Sequence, residues 1–543
     1  MNRLPVLLFF LFLQVFLHAQ TLTSSNLPII IINTNGQTIV DDPKITADMG
    51  IIFNGENVRN NVSDPFNHYN GKIGIEIRGQ SSQMFPMKSY GLELRDAAGS
   101  SLEKSIFGMP KEADWVLYAP YTDKTLMRNF LAYTISNELG HWAAHCRFVE
   151  VVINGDYKGI YVFMERIKRG SGRVNIAKMG STDVSGDAVT GGYIFSLDKE
   201  PNGWFSSYAV QGSFNPVKRQ FSYVYPKPEN IVQAQKDYIK SYVDSFENAL
   251  AASTFQDKTN GVRKFADISS FIDYFIVNEV SRNVDGYRLS TFLYKDRESK
   301  NRKIFAGPAW DYDLAFHNAN YCQGSNTDGW AYQFNSVCPN DGAGLIPFWW
   351  NKLMLDTSFS GDLRCRWKDV RKTVISSDHL NQIIDSIVTL TNEARQRHFQ
   401  RWPVLGQYVW PNPSPIPTSY VGEITVLKEW LASRLFWIDH NIPNSGACED
   451  WQDIATESLE VAIFPNPNNG IDGTIRIKTK DPQTIYLNVF DGLGRLTHSQ
   501  TINAVPVTNL ISIDGMKKWQ TGIYYFIFSD KNGEKVTRKV MKY

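Results

Sequence analysis

The period of the hydrophobic pattern changes twice along this chain, and each change marks a different kind of structure. In the stretch GKIGIEIRGQSS, Ile73, Ile75 and Ile77 alternate with Gly74 and Glu76. In KSYGLELRD, Tyr90, Leu92 and Leu94 share one face. Period two is that of a half-buried strand. LPIIIINT supplies an earlier β-rich run, and RFVEVVINGDYKGIYVFME reads as a hairpin, because two such runs flank Asn154-Gly155. That dipeptide suits the type I′ turn, which needs positive φ at both central residues. One helix is expected within this part, in YTDKTLMRNFLAYTISNELG, with Thr122 or Asp123 as its start signal and Gly140 as its stop. From about residue 228 the period becomes 3.6. ENIVQAQKDYIKSYVDSFENALAAS is amphipathic, and in DISSFIDYFIVNEVSRN the residues Ile268, Phe271, Ile272, Phe275 and Ile276 form a stripe with Asp267 as N-cap. YVGEITVLKEWLASRLFWIDHNI is a late core-facing helix behind the turn WPNPSPIP. A third pattern follows a linker at 444–457. Residues 458–543 carry short β-branched and aromatic runs separated by Pro-Asn-Pro, Gly-Leu-Gly and Lys-Asn-Gly turns, the spacing of a small β-sandwich. The chain is therefore expected to be α+β with a separate all-β module.

At 543 residues the chain exceeds one ordinary domain, and 43% hydrophobic with 13% aromatic residues supplies a large core. Lys and Arg number 56 against 55 Asp and Glu, a net charge of +1. That balance gives no reason to expect nucleic acid or an anionic membrane as the main partner. The first residues, MNRLPVLLFFLFLQVFLHAQ, have Arg3, an apolar run from Leu4 to Leu17 and a small residue at Ala19. They read as a cleaved signal peptide over 1–19, since the run is short for a bilayer span. No later stretch is apolar enough to span, so a mature product without an integral membrane segment is expected. Export permits disulfides. Of five cysteines none sits in a CxxC pair, which argues against a zinc site. Cys322 and Cys338 bracket the polar loop CQGSNTDGWAYQFNSVC and are the expected bridge.

The chemistry centres on GPAWDYDLAF. Asp311 and Asp313 stand among Trp310, Tyr312, Leu314 and Phe316, and a buried carboxylate is costly unless something pairs with it. Upstream, STFLYKD and RKIFAGPAW read as two short strands joined by the charged turn RESKN. Asp285 precedes the first strand and Asp311 follows the second, so folding this hairpin brings both carboxylates together. Carboxylates at close quarters require a proton or a cation between them, and Mg²⁺ suits a site of few carboxylates completed by water and phosphate. Protein kinases follow the same order: a catalytic-loop Asp, a polar residue five positions on, two short strands, then a metal-binding Asp before an aromatic residue. Here those positions are Asp285, Ser290 and Asp311-Tyr312. Lys88 ends the loop RGQSSQMFPMKSY beside a strand, where a kinase places its phosphate-contacting Lys. The loop has Gly79 but no GxGxxG.

Six stretches occur together and in order: EIRGQSSQMFPMKSYGLEL, DWVLYAPYTDKTLMRN, VEVVINGDYKGIYVFMERIKR, GGYIFSLDK, NVDGYRLSTFLYKD and GPAWDYDLAF. Over roughly residues 27–442 the chain resembles the CotH kinase family, atypical protein-kinase-like enzymes named for a spore-coat protein. The resemblance implies a remodelled kinase core at 20–443, with a β-rich N-lobe and a helical C-lobe and ATP between them. It implies ATP and Mg²⁺ as cofactors, Asp285 in the place of the catalytic Asp, Asp311 in the place of the metal-binding Asp, and Lys88 on the phosphates. Ser290 departs from the kinase Asn that serves a second metal. FPNPNNG, VFDGLGR, GIYYFIF and the basic ending KVTRKVMKY resemble the sorting domain of type IX secretion. That resemblance implies passage across both membranes by the type IX machinery and a secreted or surface-attached product.

Several residues keep two readings. Asp313 is a second metal ligand or fixes the loop that holds Asp311. Arg78 and Arg128 contact phosphate or form structural salt bridges. Asn278 and Glu279 are metal-site or helix-end residues, Asn283 orients the catalytic loop, His317 is a hydrogen-bonded loop residue sooner than a base, and Trp349 and Trp350 are core sooner than an adenine platform. The expected activity is transfer of the ATP γ-phosphate to the hydroxyl of a protein acceptor. The rivals are a surface adhesion or structural protein without turnover, and a secreted hydrolase using Asp285 and Asp311 as an acid–base pair.

Overall fold

Seven strands close into a barrel because every one of them has an apolar face to bury. In the computed structural model, which describes residues 22–199, 202–211, 216–341, 344–443, 459–464, 473–479, 482–504, 509–513 and 515–542, these strands are β1 (Ile29–Asn33), β2 (Ile45–Ile52), β3 (Tyr69–Arg78), β4 (Ser89–Arg95), β5 (Asp114–Tyr118), β6 (Cys146–Ile153) and β7 (Asp156–Glu165). Their order around the barrel is β1-β2-β3-β4-β5-β7-β6. The neighbours are antiparallel, except that β1 and β6 close the ring in parallel, Ile30 beside Val151. Closure removes the exposed edges of an open sheet. Ile73, Ile75, Leu92, Leu94, Trp115, Leu117, Val149, Val151 and Phe163 fill the interior, as the alternation requires. The expected hairpin is β6–β7, with φ of 52° at Asn154 and 79° at Gly155. Glu150, wholly buried on β6, is held by Arg397 of the helix Asn392–Arg401, from Nε at 3.0 Å and Nη2 at 2.6 Å. This unit comprises residues up to 121, 144–166 and 385–404.

The second unit takes residues 122–143, 167–384 and 405 onward. Its sheet is antiparallel and five-stranded, from β8 (Tyr193–Leu197), β9 (Trp204–Gln211), β10 (Pro216–Tyr225), β11 (Thr291–Lys295) and β12 (Ile304–Ala306), in the order β9-β10-β8-β11-β12. Its helices include α1 (Arg128–Glu138), α2 (Gln233–Ala251), α3 (Ile268–Ser281), α4 (Thr357–Arg371) and α5 (Tyr420–Asn441). Asp267 caps α3 as expected, accepting from the Ser270 N–H at 3.0 Å. The start of α1 is a correction. The helix begins at Arg128, not at Thr122 or Asp123, because the Asp123 carboxylate accepts the N–H groups of Thr125 (3.0 Å) and Arg128 (2.8 Å) across a turn in which Leu126 has φ of 67°. A left-handed residue there stops the helix from reaching back further. Gly140, at φ 95°, ends the helical segment as the sequence indicates.

The C-terminal module is a two-sheet sandwich. Strands β13 (Leu459–Phe464), β14 (Gly473–Thr479) and β17 (Asn509–Ile513) form one sheet in the order β13-β14-β17. Strands β15 (Gln483–Asp491), β16 (Leu496–Ala504), β18 (Gly522–Ser529) and β19 (Lys535–Lys542) form the other, in the order β16-β15-β18-β19. Val461, Ile475, Ile477, Leu487, Val489, Phe526 and Phe528 are buried together in its core. The chain as a whole is α+β. No helix among the described residues is long and apolar enough to cross a membrane. The expected leader at 1–19 and linker at 444–457 lie outside the described residues.

Candidate active site

The hairpin that was to carry the site forms. β11 and β12 pair antiparallel, Leu293 with Ala306 and Lys295 with Ile304, and the charged turn between them is a short helix, Glu298–Asn301. Asp285 lies in the loop from α3 to β11, and Asp311 in the loop leaving β12. Asn283 ties the two loops: its Oδ1 accepts from the Asp285 N–H at 3.1 Å, and its Nδ2 donates to the Asp311 carbonyl at 3.3 Å. Ser290 donates from Oγ to Asp311 Oδ2 at 3.3 Å. Helix α1 anchors the second loop, since the Asp311 N–H donates to the Tyr133 hydroxyl at 3.1 Å and the Tyr312 N–H to Asn129 Oδ1 at 2.6 Å. Buried Tyr312 reaches α3 through its hydroxyl, 3.2 Å from Asn278 Oδ1. Six non-glycine residues of these two loops have left-handed backbone: Arg282 (φ 44°), Tyr287 (68°), Ser290 (44°), Asp311 (66°), Phe316 (49°) and His317 (80°). Such conformations cost on the order of 1–3 kcal/mol each and gather where the surroundings impose them, at functional sites above all.

The electrostatics are unusual. Burial pushes the Asp313 carboxyl well above the ordinary carboxylate range, and the negative charges of Asp311, Asp285 and Asp123 push it further. Asp285 is also raised, chiefly by burial; Arg288 and Lys199 oppose that, while Asp341 and Asp198 add to it. Arg288 Nη2 donates to Asp285 Oδ1 at 2.8 Å, and the Asp285 side chain keeps 19% of its surface open to solvent. By donor chemistry Asp311 and Asp313 suit a hard divalent cation: both offer carboxylate oxygens, and the charge of Asp311 bears unfavourably on Asp313. Among the described residues, the one group of three His, Cys, Asp or Glu side chains whose ligand atoms lie within 4.8 Å of one another is Cys322, Cys338 and Asp341, and its two sulfurs are joined in a disulfide. A cation on Asp311 and Asp313 would therefore complete its shell from water and phosphate, the habit of Mg²⁺.

The other residues singled out in the sequence divide between the two units. Lys88 is half-buried in the loop entering β4, where its Nζ donates to the Gln83 carbonyl at 2.5 Å. Arg78 ends β3. Both belong to the barrel unit, whereas Asp285, Ser290, Asp311 and Asp313 belong to the second. Arg128 is structural, with Nη1 on Asp123 at 2.5 Å and Nε on the Phe316 carbonyl at 3.2 Å. Glu279 serves helix-end packing: it accepts from Arg434, Tyr287 and the N–H groups of Ala331 and Tyr332. His317 Nδ1 is 3.1 Å from the Ser325 carbonyl, and burial lowers its pKa to about 4. Trp349 and Trp350 are core. The Cys322–Cys338 disulfide is present, Cys365 is disulfide-bonded as well, and Cys146 is a free thiol. Sequence reasoning passed over Arg288, Asn129, Tyr133 and the charge of Asp123. Arg288 had a signal, standing three residues after Asp285 in DGYR. The two α1 residues had none, because their contacts cross about 180 positions.

Comparison with known proteins agrees with the motif order. The family model described as CotH kinase protein matches residues 75–438, and that of the secretion system C-terminal sorting domain matches residues 462–543. A curated relative, the inner spore coat protein H of Bacillus subtilis (strain 168), is 24% identical over 246 residues, 45% of this chain. The chain spans 59% of that relative's length. The sorting domain marks export by type IX secretion to the cell surface or beyond it. With two thirds of its length under one family model, the chain belongs to the CotH kinase protein family.

Proposed function

We propose that this chain is an exported atypical protein kinase, with a kinase-like two-lobed core, that transfers the γ-phosphate of ATP to a hydroxyl of a protein acceptor in a Mg²⁺-dependent reaction. The observation that carries this reading is the tie between the Asp285 and Asp311 loops through Asn283 and the Ser290–Asp311 hydrogen bond, beside Asp313, whose carboxyl is raised by burial and by the neighbouring negative charges. Neighbouring carboxylates are unfavourable until a proton or a cation joins them. Asp311 and Asp313 are the residues that would hold the ion, with Ser290 steadying Asp311. When bound, the ion neutralises charge on the phosphate oxygens. Asp285 is open to solvent on one side and fixed by Arg288 on the other. It orients the acceptor hydroxyl and accepts its proton as the oxygen–phosphorus bond forms and the β,γ-bridge to ADP breaks. Positioning and charge neutralisation provide most of the catalysis. The assignment of Lys88 and Arg78 to the nucleotide phosphates rests on the family resemblance.

Transfer of labelled γ-phosphate tests the reading. Label is expected on an acceptor or on the chain itself, falling by about a hundred- to ten-thousandfold in Asp285→Ala and Asp311→Ala with folding intact. A second reading, a surface protein that uses this fold without turnover, draws on the coat-protein name of the relative. It requires no label, and surface binding unaffected by the same substitutions.

A further inference from the structure

Asp285 does not stand alone at the end of α3. Arg288, whose side chain is 1% exposed, directs its donors three ways: Nη2 to Asp285 Oδ1 (2.8 Å), Nε to the Val284 carbonyl (2.9 Å) and Nη1 to the Gly344 carbonyl (2.9 Å). Nη1 also lies 3.4 Å from Asp341 Oδ1, and the guanidinium covers the Phe334 ring, 4.1 Å from its centroid. Phe334, Asp341 and Gly344 come from one stretch of chain, and that stretch is tied covalently, because Cys338 bridges Cys322. The loop closed by this bridge is fastened a second time. Arg282, at the end of α3, donates from Nε to the Gln323 carbonyl (3.0 Å) and from Nη1 to the Gly329 carbonyl (2.5 Å).

We propose that Arg288 is the positioning residue of Asp285 and that the Cys322–Cys338 disulfide holds the segment that holds Arg288, so that oxidation of this cysteine pair completes the site. The kinetic consequence rests on the phosphotransferase reading; the positioning does not. A planar guanidinium serves three directions at once, which an ammonium does not. Asp341 and Asp198 act on Asp285 with like charge, so loss of Arg288 leaves the carboxylate to swing away from them. Thiols stay reduced in the cytosol and pair in oxidising compartments. Before export, Cys322 and Cys338 are thiols, and the stretch from Phe334 to Asp341 lacks its covalent tie. Afterwards the two thiols yield two electrons and two protons to a disulfide of an exchange partner, which leaves as a dithiol. Transfer chemistry is thereby withheld until the chain has left the cytosol.

The test uses the full exported chain and three variants: Arg288→Met, Arg288→Lys and the double substitution Cys322→Ser with Cys338→Ser. Serines replace a reductant because Cys365 is also disulfide-bonded. Hydrogen exchange is followed at residues 285–289, where the Leu289 N–H donates to the Asp285 carbonyl at 2.9 Å. Arg288→Met and the serine pair are each expected to speed exchange there by about tenfold. They are also expected to lower kcat by about a hundredfold with the KM for ATP unchanged, and Arg288→Lys recovers part of the loss. Wild-type exchange and kcat in either variant overturn the proposal, provided the barrel strands exchange as in the wild type. If the serine pair unfolds, the two Arg288 variants decide. If the wild-type chain transfers no phosphate, the phosphotransferase reading fails, and unchanged exchange in Arg288→Met alone overturns the positioning role.

Discussion

Glu279 and Asp313 are both carboxyls in apolar stretches of the second unit that burial raises, but the surroundings oppose that shift at Glu279 and add to it at Asp313. Glu279, 2% exposed, meets Arg434 Nη2 at 2.9 Å and accepts three further hydrogen bonds, from the Tyr287 hydroxyl (3.0 Å) and the N–H groups of Ala331 (2.8 Å) and Tyr332 (2.9 Å). At Asp313 the negative charges of Asp311, Asp285 and Asp123 add to the effect of burial, and a backbone bond to Leu314 opposes them. A buried charge with a complete set of donors holds structure together. Like charges gathered in a half-buried site favour a proton or a cation. Acidity in an apolar context is common to both, and the partners separate them.

The largest expected effect breaks the structural half of this contrast. Arg434→Met strands the Glu279 charge and is expected to cost about 3–5 kcal/mol, read from urea denaturation; a loss below about 1 kcal/mol would show that Glu279 is carried by its other donors. The next sharpens the functional half. Asp313→Asn removes one of the repelling charges and is expected to stabilise the metal-free chain by about 1–2 kcal/mol, while weakening the rise in melting temperature that Mg²⁺ produces. A destabilised variant would place Asp313 with Glu279. pH supplies a third test. The folded-state pKa of Asp313 is raised, so its proton is bound more tightly folded than unfolded. The stability it contributes is present below the ordinary Asp range and is lost as pH rises through the raised value. Metal-free melting temperature is expected to fall over that interval, and the fall to be smaller in Asp313→Asn or with Mg²⁺ added. The smallest effect concerns Asn283. Asn283→Ala removes one bond to each loop and is expected to cost about 1 kcal/mol. The loss of phosphoryl transfer should exceed what this destabilisation explains.

Much of the fold was legible along the chain, and for a uniform reason. Alternation in β3 and β4, the Asn154-Gly155 turn, the Asp267 cap and the β11–β12 hairpin are set by residues that touch within one element or across one turn. The same hairpin made the neighbourhood of Asp285 and Asp311 readable. The start of α1 was misread because Asp123, a good cap by type, has its oxygens taken by Thr125 and Arg128 in a turn just ahead of the helix.

Local hydrophobic period, turn chemistry and motif order were enough to establish an α+β chain with a terminal β-sandwich, its family and the hairpin that separates Asp285 from Asp311. Contacts between distant positions decided everything else: that the first seven strands close on themselves through β1 and β6, that Tyr133 and Asn129 hold the Asp311 loop, that Arg434 quenches Glu279, and that a disulfide-closed loop supports Arg288. The division follows from range. Backbone propensity and side-chain periodicity act over a few residues and are written in order along the chain. The pairing of a buried charge depends on which remote segment packs against it, and no local pattern encodes that.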